Sequence, residues 1–181
     1  MRNDISKGAL YFHFPSKEVL AEAIVQEQSS MWRLAVGNLL GRYSRAIPAM
    51  LELSWRAACM CRDDAVVRAG LRLVAERSLS DPSAPHPCAG LAGIVDGLLA
   101  DARAQHDLLP QVEISNATGF IAAALYGLQH IALTRHGRPA DNGYTDRPEC
   151  VTAMWRFLLP GLVTENCMAD MAATFTELGR G

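Results

Sequence analysis

Apolar positions recur along this chain at helical intervals. From Ser16 towards Gly41, Val19, Leu20, Ala23, Ile24, Met31, Leu34 and Leu39 fall three, four or seven apart, which predicts one long amphipathic helix. A second helix is predicted over Ser44–Cys61, with Ile47, Leu51, Trp55, Ala58 and Cys59 on one face and Pro48 in the first turns, where proline is tolerated. Asp63 and Asp64 offer N-caps for a third, Ala65–Ser78. There Val66, Val67, Gly70, Leu71 and Val74 pack, and Arg68, Arg72 and Arg77 face water. Leu79–Pro87 carries three prolines and must be a loop. Cys88–His106 is the next helix, apolar at Leu91, Ile94, Val95, Leu98 and Leu99, and Gly93 and Gly97 suggest close helix packing.

After a loop over Asp107–Val112 comes the most apolar helix, Ser115–Arg135. Ala117, Ile121, Ala124, Leu128 and Ile131 form one face, and Phe120, Leu125 and Ala132 widen it almost all round. Such a helix must be covered on most sides, here by the core and by a second subunit. Gln129 and His130 interrupt it, and a buried glutamine needs hydrogen-bond partners. A polar loop, His136–Arg147, leads to a helix over Pro148–Leu159 with Val151, Met154, Trp155 and Leu158 on a stripe. Pro160-Gly161 then kinks or ends it. Thr164–Leu178 reads as a last helix. Strand-like alternation of useful length is absent, so the fold class is all-α.

Composition narrows the chemistry. The chain has 181 residues, half of them apolar, a fifth charged, with net charge −2. No global field draws it to nucleic acid, but Met1–Lys17 carries Arg2, Lys7 and Lys17 against Asp4 alone. Five scattered cysteines, Cys59, Cys61, Cys88, Cys150 and Cys167, do not make a disulfide framework. They read as buried or half-buried thiols in a reducing cytoplasm. No apolar run reaches membrane length, and no signal-peptide pattern follows Met1. HExxH, paired CxxC, Walker and GxGxxG motifs are all missing, so no residue proposes an enzyme, a metal or a cofactor.

The most informative stretch is Ser6–Leu20, SKGALYFHFPSKEVL. Ser6 caps a short helix, and Pro15 should stop it by His13 or Phe14. Ser16 caps the long helix, with Glu18 in its first turn. Lys7 is a cation at a helix N-terminus, which a nearby phosphate would stabilise. Gly8 lets another backbone approach closely, and Tyr11 and Lys17 offer groups for phosphate oxygens.

This stretch resembles the recognition helix of the tetracycline-repressor (TetR) family, whose pattern is close to (S/T)KG(A/T)LYxHFxSKExL. The resemblance implies that Ser6, Lys7, Gly8, Tyr11, His13 and Lys17 bind double-stranded operator DNA. It also implies a chain divided at about residue 42. Residues 1–15 would be a helix-turn-helix remnant, completed by the start of the helix over 16–41. Residues 42–181 would be a helical ligand-binding and dimerisation domain. Two helices precede the recognition helix in that family, and only Met1–Ile5 precedes Ser6 here, so a longer full-length regulator is expected.

RAGLRL (Arg68–Leu73), PHP (Pro85–Pro87), YGLQHIA (Tyr126–Ala132) and MWRFLLPGL (Met154–Leu162) are similar, in order and spacing, to the γ-butyrolactone receptor branch. That branch implies a homodimeric repressor released from a palindromic operator by a small, largely apolar effector, a γ-butyrolactone-, furan- or antibiotic-like signal. The candidate ligand contacts are Trp55, Val74, Leu91, Phe120, Gln129 and Trp155. Leu91 stands where the branch usually has tryptophan, which implies a wider or differently shaped pocket. The alternative is a truncated helical module that sequesters the signal without binding DNA.

Overall fold

The computed structural model describes residues 13–81, 83, 89–135 and 149–178. The short helix expected from Ser6 lies outside them, except for its end. His13 is helical and Phe14 is not, as Pro15 requires. Ser16 then opens α1 (Lys17–Leu40), its hydroxyl accepting from the Val19 N–H at 3.3 Å. The described chain continues through α2 (Ala46–Asp63), α3 (Ala65–Ser80), α4 (Ala89–Ala104), α5 (Ile114–Arg135), α6 (Glu149–Leu158), a 3₁₀ turn (Leu159–Gly161) and α7 (Glu165–Leu178). Every helix predicted within these residues is present, with ends moved by a residue or two at most sites.

Capping explains most of the ends. Asp64 closes α2 by donating its N–H to the Met60 carbonyl at 2.9 Å. It also opens α3, its carboxylate accepting from Val66 at 2.7 Å and Val67 at 3.1 Å. Asp63 turns instead to Arg62, at 2.7 Å. Arg68, half-buried, donates to the last carbonyls of α2, at 2.6 Å to Arg62 and 3.3 Å to Cys61. α4 stops at Ala104, short of the expected His106. There His106 takes a left-handed φ of 60°, and its N–H meets the Arg103 carbonyl while the Asp107 N–H meets that of Ala102. This is a Schellman end made without the usual glycine, so nothing in the residue type announced it.

The centre of the fold is α2, which packs on every other described helix. Residues 46–54 are all buried. Ile47, Met50 and Leu51 meet Val95, Leu98 and Leu99 of α4, Ile121 and Leu125 of α5, and Trp155 of α6 in one core. Each such aliphatic side chain contributes about 1.5–3 kcal/mol by leaving water. The Trp155 indole N–H is buried and donates to Ser54 Oγ at 2.7 Å. α5, by contrast, keeps an exposed side at Gly119, Phe120 and Ala123.

Polar groups tie the start of α2 to the far end of the chain. Gln105 accepts from the Ala46 N–H at 2.9 Å and donates to the Ser44 carbonyl at 3.1 Å, capping α2 from outside. Arg45 pairs with Asp107 and with Asp170 of α7. The bond to Asp107 raises the Arg45 guanidinium above its ordinary value. The Thr164 N–H donates to the Asp107 carbonyl at 2.8 Å, beside a single antiparallel bridge between Leu108 and Val163.

Two expectations about packing need correction. Val19 and Leu34, read as part of the apolar stripe of α1, are 46% and 66% exposed, while Gln28 and Leu39 are buried there. Gly93 and Gly97 mark no close packing, because a Cβ at either would meet nothing within 4 Å. The close approach is at Gly70, where a Cβ would lie 2.7 Å from Gln28 Cβ.

Candidate functional site

Five helices surround a cavity of about 360 Å³, within the range of small-molecule sites. α1 contributes Gln28, Ser29, Trp32, Arg33 and Val36, a face generated by i, i+4 spacing. α2 contributes Met50, Leu53, Ser54 and Ala57, and α3 contributes Leu71 and Val74. α4 adds Leu91, Ile94, Val95 and Leu98 below Gly90, and α5 adds Leu125 and Gln129.

Among the described residues, the lining carries no aspartate, glutamate, lysine or histidine. Arg33, the one charged residue among the described lining, is exposed and donates to Ser30 at 2.8 Å. The two lining hydroxyls are committed: Ser29 donates to the Val25 carbonyl at 2.8 Å, and Ser54 to that of Met50 at 2.9 Å. The Gln28 and Gln129 carboxamides and the Trp32 indole N–H, in contrast, make no hydrogen bond to another described residue. Gln28 is only 6% exposed. An apolar space with two amides and an indole to spare suits an uncharged ligand with one or two polar groups.

Three of the six candidate contacts, Val74, Leu91 and Gln129, line this cavity together. The other three do not. Trp55 lies five residues beyond Met50, about 140° round α2 from the lining face. Trp155 is 1% exposed and stands behind the wall, holding Ser54. Phe120 lies five residues before Leu125, again about 140° away on its helix, and is 62% exposed. It lines a separate open groove of about 560 Å³ with Ala117, Ile121, Phe157 and Leu158, where Phe157 is 86% exposed.

The contribution of α1 was missed. Gln28, Trp32 and Val36 repeat every fourth residue, but the apolar stripe alone predicts only an amphipathic helix and does not single them out. Of the candidate DNA contacts, Ser6, Lys7, Gly8 and Tyr11 lie outside the described residues. His13 and Lys17 are exposed, with Lys17 3.7 Å from Glu18.

The thiols are built as packing groups. Burial pushes Cys61 up to about 12 and Cys167 up to about 11, so neither is a thiolate at neutral pH. Cys59 and Cys150 are half-buried.

A family model described as Tetracyclin repressor-like, C-terminal domain, matches residues 44–164, more than half of the chain. The chain belongs to the TetR family. It is 28% identical over 170 residues to the A-factor receptor protein of Streptomyces griseus, covering 94% of this chain and 56% of that one. It therefore spans little over half the length of that curated relative. Among solved structures it resembles a gamma-butyrolactone receptor (ArpA like protein) at TM-score 0.77 and 28% identity, covering 97% of this chain and 80% of the other. It also resembles the TetR family protein CprB from Streptomyces coelicolor in complex with its operator sequence. That match has TM-score 0.73 and 31% identity and covers 97% of this chain and 79% of CprB. The TetR-like all-α fold is thus shared along nearly the whole chain. No helix among the described residues is long and apolar enough to cross a membrane.

Proposed function

We propose that this chain is the effector-binding and dimerising part, with a piece of the DNA-binding part, of a transcriptional repressor released by a small, uncharged, largely apolar signal. One observation carries the reading. The cavity is walled on one side by α1, the helix that follows the SKGALYFHF stretch after Pro15. An occupant therefore touches the element that leads to the DNA-binding residues. The relatives named for γ-butyrolactones and for an operator complex support the same reading.

In this reading Lys7 enters the major groove, and Tyr11, His13 and Lys17 hold phosphates, with Ser6 and Gly8 at the approach. Val74, Leu91 and Gln129 contact the signal. Leu91, smaller than tryptophan, leaves room for a wider ring or branched chain. The face bearing Phe120 and Phe157 is the homodimer surface, formed by α5 and α6 of each copy about a two-fold axis. That reassigns Phe120 from ligand to partner. Release needs a signal that favours the DNA-incompetent spacing, because equal affinity for both states shifts nothing.

The test is a titration of the operator complex of the full-length regulator with γ-butyrolactones and furans. Release at micromolar concentrations is the expected result. A complex that survives every such compound overturns the inducible-repressor reading.

A further inference from the structure

Gln28 is an unusual residue to bury. It sits mid-way along α1, is 6% exposed, and makes no hydrogen bond to another described residue. No buried side-chain N or O atom among the described residues lacks a partner, so the Gln28 carboxamide, bonded to none of them, keeps accessible polar atoms. Its side chain is pressed on α3 at Gly70, where an added Cβ would lie 2.7 Å from Gln28 Cβ, 2.8 Å from Cγ and 3.2 Å from the carboxamide carbon Cδ. That leaves Oε1 and Nε2 to meet the cavity, which Gln28 lines with Trp32 one turn further on. Gly70 is itself buried, and no other glycine with a described site has a neighbour this close.

We propose that Gln28 couples the cavity to α1: its shank is seated on Gly70, and its free carboxamide hydrogen-bonds the occupant. The proposal rests on the ligand-binding reading above and adds the residue through which occupancy acts. An occupant that pairs with the carboxamide makes a hydrogen bond that no described residue supplies. It does so only while the shank keeps its seat, so the bond fixes where α1 lies against α3. A ligand without a hydrogen-bonding group fills the space but does not report to α1. Any side chain at position 70 would lift Gln28 off its seat and move α1 in the absence of ligand.

The experiment compares the wild type, Gly70→Ala, Gln28→Ala and the double variant in the full chain. Hydrogen exchange of the α1 peptides reads the seat. Faster exchange in Gly70→Ala, restored when Gln28→Ala removes the clashing shank, is the expected pattern. Calorimetry with γ-decalactone, a neutral lactone with a six-carbon tail, reads the carboxamide. Gln28→Ala should bind it about tenfold more weakly. Unchanged α1 exchange in Gly70→Ala, or no rescue in the double variant, overturns the seat even if the lactone binds. Equal lactone affinity in wild type and Gln28→Ala overturns the carboxamide contact while leaving the cavity's ligand-binding role standing. No lactone binding by the wild type overturns the contact together with the reading it rests on, and the exchange data still decide the seat.

Discussion

Two polar regions of this molecule are built on opposite terms. Where α2 begins, the charged and amide side chains are spent inside the chain. Asp107 is 1% exposed and faces Arg45, which also reaches Asp170, and Gln105 serves the backbone on both sides of Arg45. Around the cavity, Gln28, Gln129 and Trp32 remain unspent. The first arrangement holds three distant segments in one place. The second leaves hydrogen-bonding capacity for something the chain does not supply. Networks closed within the chain stabilise a fold, and accessible groups without a protein partner are open to a ligand.

The largest effect should come from the spent cluster. Asp107→Ala removes the carboxylate that Arg45 uses while keeping the backbone bonds of residue 107. Loss of one partner from a buried pair costs about 3–5 kcal/mol, and the low end applies because Arg45 retains Asp170 and its side chain is 34% exposed. Urea unfolding reads this directly. A loss no greater than that of a cavity variant would erase the contrast between the two regions.

A second, smaller effect depends on pH. Glu52 of α2 is 7% exposed. Burial alone would raise its carboxyl, but Tyr43, Arg56 at 2.6 Å and Arg42 at 3.4 Å bring it below the ordinary value of 4.5. Since the folded-state value lies below the unfolded one, this stabilisation is complete above about pH 4.5 and is lost as pH falls through the folded-state value. Stability measured from pH 6 to pH 3 should therefore fall less steeply in Glu52→Gln than in the parent. Parallel curves would show that other carboxylates govern the acid limb.

The helices were legible because 3.6-residue periodicity and caps such as Ser16 and Asp64 are local signals. The family, too, was legible from one short string. The cavity was legible only in part. All six candidate contacts follow from the resemblance, the bulky Trp55, Phe120 and Trp155 among them. Size does not say which side of a helix a residue occupies, and all three point elsewhere. Gln28 was hidden because a glutamine in a mostly polar stretch reads as solvated until the glycine on the facing helix is known. The glycines misled for the same reason. Gly93 and Gly97 are regularly spaced but face open space, and Gly70, alone in its helix, makes the contact.

That difference among glycines sets a third prediction. Gly97→Ala lies on an exposed face of α4 with nothing within 4 Å of its Cβ. It should stabilise the chain by about 0.4–1 kcal/mol through the unfolded state and helix propensity. A thermal melt showing destabilisation would mean that this face is covered.

The smallest effect on stability should be that of Gln129→Ala. The Gln129 side chain is half-buried and bonds to no other described residue, so its loss orphans no protein group. The expected change is within about 0.5 kcal/mol, as at sites away from buried networks. Its effect should appear instead when the cavity is occupied. If the Gln129 carboxamide hydrogen-bonds a carbonyl or hydroxyl of the signal, its removal leaves that group buried and unpaired, at about 1–3 kcal/mol. Operator release should then need about tenfold more ligand, with operator affinity in the absence of ligand unchanged. The pairing of these two readouts is what sharpens the contrast. A variant that loses stability as Asp107→Ala does would place Gln129 among the spent groups. A variant that keeps its stability and releases DNA at the parental ligand concentration would leave Gln28 and Trp32 as the polar contacts of the cavity.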